Sequence, residues 1–292
     1  MVTSFYRFLF YALALAGKPI DGIRPRRIYE IVGKRAFVEP SYRWFVNRWG
    51  TRLHISPHYH IDRYIIAFGT YDPDLHLAME KLVKPGMYCI DAGANLGEMS
   101  LHMGNLVGKS GRVFSFEPVI HVFERLNQHI IENGMAGRIC AFQKALSNAD
   151  GEVEIAFPIG QTSNQGLGSI VNTDQGDGFQ RQSVAAITLD TFVRQNDLPR
   201  LDFIKLDIQG AEYLLLTGAC ETLQKFSPLI CMEVSPADLR CMGLTSRDLC
   251  GLLDSYGYDI FVLTKKGKGK KIPVEQVRAD FEATNVLCVK RQ

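Results

Sequence analysis

The chain has 292 residues, 46% hydrophobic and 22% charged, with a formal net charge of +2 and mean hydropathy near zero; at roughly 150 residues per domain that is one large domain or two ordinary ones. Average apolar content with little net charge excludes disorder, and the absence of a glycine period excludes collagen. No apolar run approaches the ~20 residues that cross a bilayer, so the sequence reads as a soluble globular protein.

The first segment, 8–16, is apolar all round and follows a single Arg7. It is too short to span a membrane as a helix. Ala14-Leu15-Ala16 imitates a signal-peptidase site, yet the basic density follows the apolar run, opposite to the secretory layout. The expected roles are a helix packed on the protein's own surface or an interfacial anchor helped by neighbouring arginines. Residues 18–52 carry a net +6 and residues 264–271 five lysines, which leaves −9 for the rest of the chain. A mildly acidic body with two basic appendages suggests an anionic partner at the periphery and a cationic or neutral ligand centrally; solubility is the plain alternative for the lysine loop.

Short alternating patterns over 43–50 and 51–55 predict strands, with Tyr64–Phe68 as a strand that could close them. From Asp74 to Lys84 the pattern is helical and ends at Pro85-Gly86. Strand and helix then alternate, as in a mostly parallel sheet covered on both faces. The predicted elements are strand Met87–Asp91, helix Gly97–Val107, strand Arg112–Glu117, helix His121–Glu132 and strand Arg138–Gln143. Strands Glu152–Phe157 and Ser183–Leu189 flank a Gly/Gln/Asn/Asp-rich stretch, 158–182, too long for a simple connector and therefore a candidate lid or substrate loop. Strand Phe203–Asp207, helix Gly210–Thr217, strand Leu229–Val234, helix Thr245–Tyr256, strand Asp259–Leu263 and strand Asn285–Val289 complete the series.

Seven cysteines, an odd number without C-x2-C spacing, read as small core residues in a reducing compartment. The histidines lack metal-ligand spacing; His54, His58 and His60 form their only cluster, and no metal site is expected.

The most informative stretch is Tyr88-Cys-Ile-Asp-Ala-Gly-Ala-Asn-Leu-Gly97, an apolar strand ending in Asp91 followed by a tight turn and a helix. Gly93 and Gly97 permit close approach to a ligand, and the helix start offers unpaired N–H groups. A dinucleotide fingerprint wants G-x-G-x-x-G, but Asn95 interrupts it and Asp91 would repel a pyrophosphate. An ammonium and a sulfonium suit that acid, which favours S-adenosyl-L-methionine. Glu117, at the end of the next strand, is placed to accept the ribose hydroxyls, and the backbone of Lys144-Ala-Leu-Ser147, with Ala145, to line the adenine edge. In Phe203-Ile-Lys-Leu-Asp-Ile-Gln-Gly-Ala-Glu212, period-two alternation puts Lys205 and Asp207 on one side at the strand's carboxyl end. They could instead form a private ion pair, and Glu212 could simply serve the helix dipole. Glu233 closes the fifth strand and could face the same crevice.

These residues resemble the FkbM family of S-adenosylmethionine-dependent methyltransferases. The carrying segments are Gly69-Thr-Tyr-Asp-Pro73, Ile90–Gly97, Phe116-Glu-Pro118 with Phe123 and Asn127, Ala145-Leu-Ser147, Ile187-Thr-Leu-Asp190, Lys205–Glu212 and Glu233. The resemblance covers about residues 61–263. It implies an α/β Rossmann-like class I methyltransferase fold, a mostly parallel seven-stranded sheet with the last strand antiparallel and helices on both faces, preceded by a small N-terminal extension (1–60; catalytic domain 61–292). It implies O-methylation of a sugar, polyketide or other small-molecule hydroxyl. Asp207, Lys205 and Glu212 are then the candidate catalytic residues, and Asp91, Gly93, Asn95, Gly97, Glu117, Pro118, Ala145 and Asp72 the candidate cofactor residues. Asp72 stands where the family usually has Glu, so any contact there is made by a shorter side chain.

The reading left beside O-methylation is an N- or protein methyltransferase, or an inactive interaction protein on the same fold. A nicotinamide oxidoreductase would need a third helix-packing glycine and a hydride-accepting site, and neither is found. The expected partner is a small-molecule or glycan hydroxyl acceptor, not nucleic acid. The expected location is cytoplasmic, with peripheral membrane contact through residues 1–35 as a further expectation.

Overall fold

The computed structural model describes residues 5–10, 12, 32–158, 169–170 and 179–291. They fall into two compact units, one of residues 1–73 with 158–165 and one of 74–157 with 166–292. Most of the apolar run 8–16 and most of the candidate lid 158–182 lie outside the described residues.

In the first unit, strands β1 (Arg43–Val46) and β2 (Arg52–Ile55) form an antiparallel hairpin. Its turn is tied by the Asn47 carboxamide oxygen, which accepts from the backbone N–H groups of Trp49 and Thr51, both at 3.0 Å. Helix α1 (His60–Phe68) follows, where the sequence suggests a strand over Tyr64–Phe68. That expectation fails because Tyr64, Ile65 and Phe68 recur at helical spacing and Gly69, at φ 79°, ends the helix with its N–H on the Ile65 carbonyl. Short helical stretches at 5–10 and 32–36 join α1 through a core of Phe10, Val32, Ala36, Phe37 and Ala67.

The second unit starts with helix α2 (Pro73–Leu82) and continues β3 (Tyr88–Ala92), α3 (Glu98–Val107), β4 (Arg112–Phe116), α4 (Ile120–Glu132) and β5 (Ile139–Phe142). Strands β6 (Ala145–Leu146), β7 (Gly151–Pro158), β8 (Ser169–Ile170) and β9 (Phe179–Ile187) make a separate small sheet in the order β6-β9-β7-β8. Then come α5 (Leu189–Gln195), β10 (Phe203–Leu206), α6 (Glu212–Thr217), α7 (Cys220–Phe226), β11 (Leu229–Val234), α8 (Pro236–Cys241), α9 (Ser246–Ser255), β12 (Tyr258–Thr264), β13 (Gly267–Ile272) and β14 (Ala283–Lys290).

The main sheet runs β13-β12-β14-β11-β10-β3-β4-β5. Strands β5, β4, β3, β10 and β11 pair in parallel, and β14 is antiparallel to both β11 and β12, so β12 points the same way as the parallel set. Among the described residues the sheet has eight strands rather than the expected seven because the lysine loop is itself a strand: β13 pairs with β12 at the sheet edge. Lysines on an exposed edge discourage pairing with another chain. Lys268 also lies 3.8 Å from the Phe261 ring centroid, and Lys271 pairs with Asp259 at 2.8 Å.

The core sits between this sheet and its helices, where α5 inserts Phe192 against Phe116 and Phe142 with centroids 4.9 and 5.0 Å away. Helix α5 is short, and side chains rather than periodicity define it. Thr188 accepts from Thr191 N–H at its start, while Asp190 accepts from the N–H groups of Glu221 and Thr222 and so begins α7. The expectation that every cysteine is core is corrected: Cys89, Cys231, Cys250 and Cys288 are buried, but Cys140 and Cys241 are exposed and Cys220 is half-buried.

Candidate active site

From β3 the chain order steps outward to β4 and β5 on one side and to β10 and β11 on the other. Open α/β sheets bind ligands at such a switch point, beyond the strand carboxyl ends. The register places Lys205, Asp91 and Ser115 side by side on β10, β3 and β4, one polar row across the middle of the sheet. Asp91 is wholly buried, with one carboxylate oxygen accepting from the Ser100 hydroxyl at 2.6 Å and the other 3.1 Å from the Lys205 ammonium. The Ser115 hydroxyl donates to Ser100 at 2.8 Å. Lys205, 4% exposed, also donates to the Gly93 carbonyl at 3.0 Å and lies 3.7 Å from Asp207. Burial alone would push its pKa down, but Asp91 and then Asp207 outweigh that and raise it, so the ammonium form is held.

Two strand-end loops meet above this row. Gly93, at φ 74°, lies so close to β10's exit that an added Cβ would stand 1.9 Å from the Asp207 carbonyl oxygen. Its own N–H and that of Ala94 both bond the Phe116 carbonyl, and Asn95 takes a left-handed φ of 51°, tolerable for Asn. Gly97, at φ 92°, packs where a Cβ would meet Leu126 at 2.5 Å, and the His129 ring bonds the Leu96 carbonyl at 2.7 Å.

Glu117 is 3% exposed; its two oxygens accept from the N–H groups of Asn95 and Val119, each at 3.0 Å. Burial lifts its pKa from 4.5 to about 7 against those two hydrogen bonds and Lys205. Glu212 turns back onto its own loop, accepting from Ile208 N–H at 3.0 Å, and burial again lifts its pKa to about 7. Asp207 differs: its side chain is 40% exposed, and it accepts from the Gln209 carboxamide at 3.1 Å.

A cleft open to solvent lies between these loops. Of the expected residues it is lined by Gly93, Glu117, Pro118, Ala145 and Asp207; Asp91, Lys205 and Glu212 stand behind it, and Asn95 and Gly97 shape the bend. Asp72 belongs to the first unit, just before α2. Glu233 is half-buried at a register irregularity between β11 and β14. Sequence reasoning missed Ile155, Ile208 and Gln209 on the cleft wall. For Gln209 a signal was available, since a residue between an acid and Gly210 at a strand end is forced through a tight turn; its φ is 55°.

The wall suits an adenosyl sulfonium. Each Glu117 oxygen accepts one backbone N–H and retains further accepting capacity on the cleft side. Among the described residues the cleft is lined by two acids, Glu117 and Asp207, and one cation, Lys144.

A mostly parallel sheet in which β14 is reversed between β11 and β12, and β13 is reversed at the edge, is the fold of a class I methyltransferase, a class whose cofactor is S-adenosyl-L-methionine. The chain belongs to the FkbM methyltransferase family: the profile described as "Methyltransferase FkbM domain" matches residues 91–260. It is similar to Methyltransferase sdnD of Sordaria araneosa, 23% identical over 198 residues, which covers 59% of this chain and 74% of that protein. It is also similar to 2-O-methyltransferase NoeI of Sinorhizobium fredii, 26% identical over 185 residues, 60% of this chain and 74% of that one. A solved methyltransferase FkbM from Methylobacillus flagellatus aligns with a TM-score of 0.44 at 15% identity, covering 96% of this chain and 57% of that one.

Proposed function

We propose that the chain transfers a methyl group to a hydroxyl of a small molecule or glycan, with Asp207 at the reacting end. The observation that carries this reading is the division among four acids. Asp91 and Glu212 are buried behind the cleft, and Glu117, which lines it, is 3% exposed with each oxygen on a backbone N–H, whereas Asp207 reaches the cleft with 40% of its side chain exposed. The relative named as a 2-O-methyltransferase is consistent with an oxygen acceptor.

When bound, the cofactor supplies a methyl on a good leaving group, so most of the acceleration comes from alignment. Asp207 accepts the acceptor's hydroxyl proton. Gln209 and Lys205 hold its two oxygens from opposite sides. Lys205, already facing Asp91, Asp207 and the Gly93 carbonyl, positions these groups rather than binding the acceptor. Glu117 takes the ribose diol beside Pro118 and Ala145. Asp91 acts on the cofactor loop through Lys205, and Glu212 keeps the 207–212 turn in shape. Asp72 is assigned to the cofactor on the resemblance of its motif.

Methyl-labelled cofactor, offered with hydroxyl- and amine-bearing acceptors, tests this. Label should pass to hydroxyls, and Asp207→Asn should lose roughly 100-fold or more of turnover while S-adenosylhomocysteine binding by calorimetry changes little. Full turnover in that variant removes Asp207 from the chemistry; transfer to amines alone removes the oxygen acceptor; no binding of S-adenosylhomocysteine identifies an inactive protein.

A further inference from the structure

Exposed large apolar side chains are unevenly distributed: eight of the eleven among the described residues belong to the first unit. Its hairpin explains part of this. Leu53 and Ile55 on β2 are fully buried, so the face carrying the cross-strand pairs Trp44↔His54 and Val46↔Arg52 points away from the core. A half-buried sheet normally shows polar residues there, yet Trp44 is 38% and Val46 58% exposed. Trp44 stacks on His54 at 5.0 Å, the Arg52 guanidinium lies 5.2 Å from the Trp44 ring centroid, and the Tyr42 ring lies 5.3 Å from that of His54. Residues 40–61 hold three arginines and no acid.

The helical stretch 5–10 repeats the design. Phe10 is buried and Arg7 donates to the Ala36 carbonyl at 3.0 Å, which fixes the segment, while Phe5 and Phe8, three residues apart, are 62% and 73% exposed. Apolar rings and an aliphatic side chain set among arginines match the headgroup region of an acidic bilayer, where Trp and Tyr sit at the boundary and each basic residue adds electrostatic attraction.

We propose that the first unit is a docking surface for an anionic lipid bilayer, with Phe5, Phe8, Trp44 and Val46 entering the headgroup layer and the arginines facing lipid phosphates. A second copy of the chain is the poorer occupant, because the net +4 of residues 32–52 would meet itself. A nucleic acid is poorer too, since stacking on bases gives no use to an exposed valine. Among the described residues no helix is long and apolar enough to cross a membrane, so the attachment is peripheral.

The full chain is mixed with vesicles of phosphatidylcholine alone or with about one third phosphatidylserine. The only two tryptophans, Trp44 on β1 and Trp49 in the hairpin turn, report directly. Flotation and a blue shift of emission are expected with acidic vesicles only. Trp44→Phe should remove most of the shift, Phe8→Ser with Val46→Ser should weaken binding at least tenfold, and Arg52→Gln should weaken it about fivefold; S-adenosylhomocysteine binding should stay unchanged in all three. Failure to float, flotation insensitive to the apolar substitutions, capture by RNA without capture by vesicles, or a lipid-free dimer that buries Trp44 would each overturn the proposal.

Discussion

Replacing Lys205 with Met puts the polar row to a quantitative test. Asp91 is wholly buried and would keep only the Ser100 hydroxyl as a partner. At 3.1 Å and an effective dielectric constant near 20, the lost attraction is about 5 kcal/mol, and removing one member of a buried pair typically costs about 3–5 kcal/mol. Asp91→Asn should cost less, because Lys205 keeps Asp207 and the Gly93 carbonyl. The double variant should be clearly more stable than the sum of the single losses predicts, with a coupling of about 2–3 kcal/mol. Urea unfolding followed by circular dichroism measures all four proteins, since both tryptophans report on the other unit. A Lys205→Met cost below about 1 kcal/mol, or losses that simply add, would show that the pair does not hold the sheet's centre together.

Gly93→Ala should abolish S-adenosylhomocysteine binding, because its methyl would lie 1.9 Å from a backbone carbonyl that no rotamer change can move; calorimetry decides, and unimpaired binding would mean the two loops do not need to touch. Glu117 is protonated in the folded protein up to about pH 7 but only to about 4.5 when unfolded, so its contribution is complete at low pH and is lost as pH rises through 7. Buried His102, with its pKa lowered to about 3 chiefly by burial, works in the opposite sense below 6.5. Comparison with Glu117→Gln isolates the carboxyl: wild-type stability should fall relative to the variant by roughly 3 kcal/mol between pH 4.5 and 8. Ribose hydroxyls favour the ionised carboxylate, so S-adenosylhomocysteine affinity should weaken progressively as pH falls below 7, and the Gln variant should lose that dependence. Phe192→Ala should cost about 3–5 kcal/mol in the same unfolding assay, as it empties the space between Phe116 and Phe142.

Much of the main sheet is legible because each parallel strand is an apolar run punctuated by glycine or an acid, and β3, β4, β10 and β11 fall within a residue or two of expectation. Misreadings cluster where local pattern is degenerate. Tyr64-Ile-Ile-Ala-Phe68 satisfies both periods, and only the left-handed Gly69 cap and the burial of Ile65 decide for helix. The lysine run looks like a loop because its side chains are all polar, yet an edge strand needs only one partner, and backbone bonds to β12 suffice. Helices α5, α7 and α8, of six or seven residues, are too short to show a period and are defined by Thr188, Asp190 and Ser235 at their starts.

The candidate site shows the same division between what spacing encodes and what packing decides. Strand-end acids are visible in the sequence, but alternation alone cannot say which carboxylate faces solvent and which faces another side chain. Three-dimensional register does: Asp91 sits opposite Lys205 on the neighbouring strand, and that neutralises the acid the sequence offers first as a ligand for a sulfonium. The bend at Gly93 then lets the backbone after β10 close in to a distance that any side chain would forbid, and this carries Asp207 past the buried row to the cleft. One ion pair thus fixes the floor of the cleft while one missing methyl group sets how far Asp207 reaches into it. Substitutions at Lys205 should therefore appear first as lost stability and those at Asp207 as lost turnover, and that contrast separates positioning from chemistry without knowledge of the acceptor's identity.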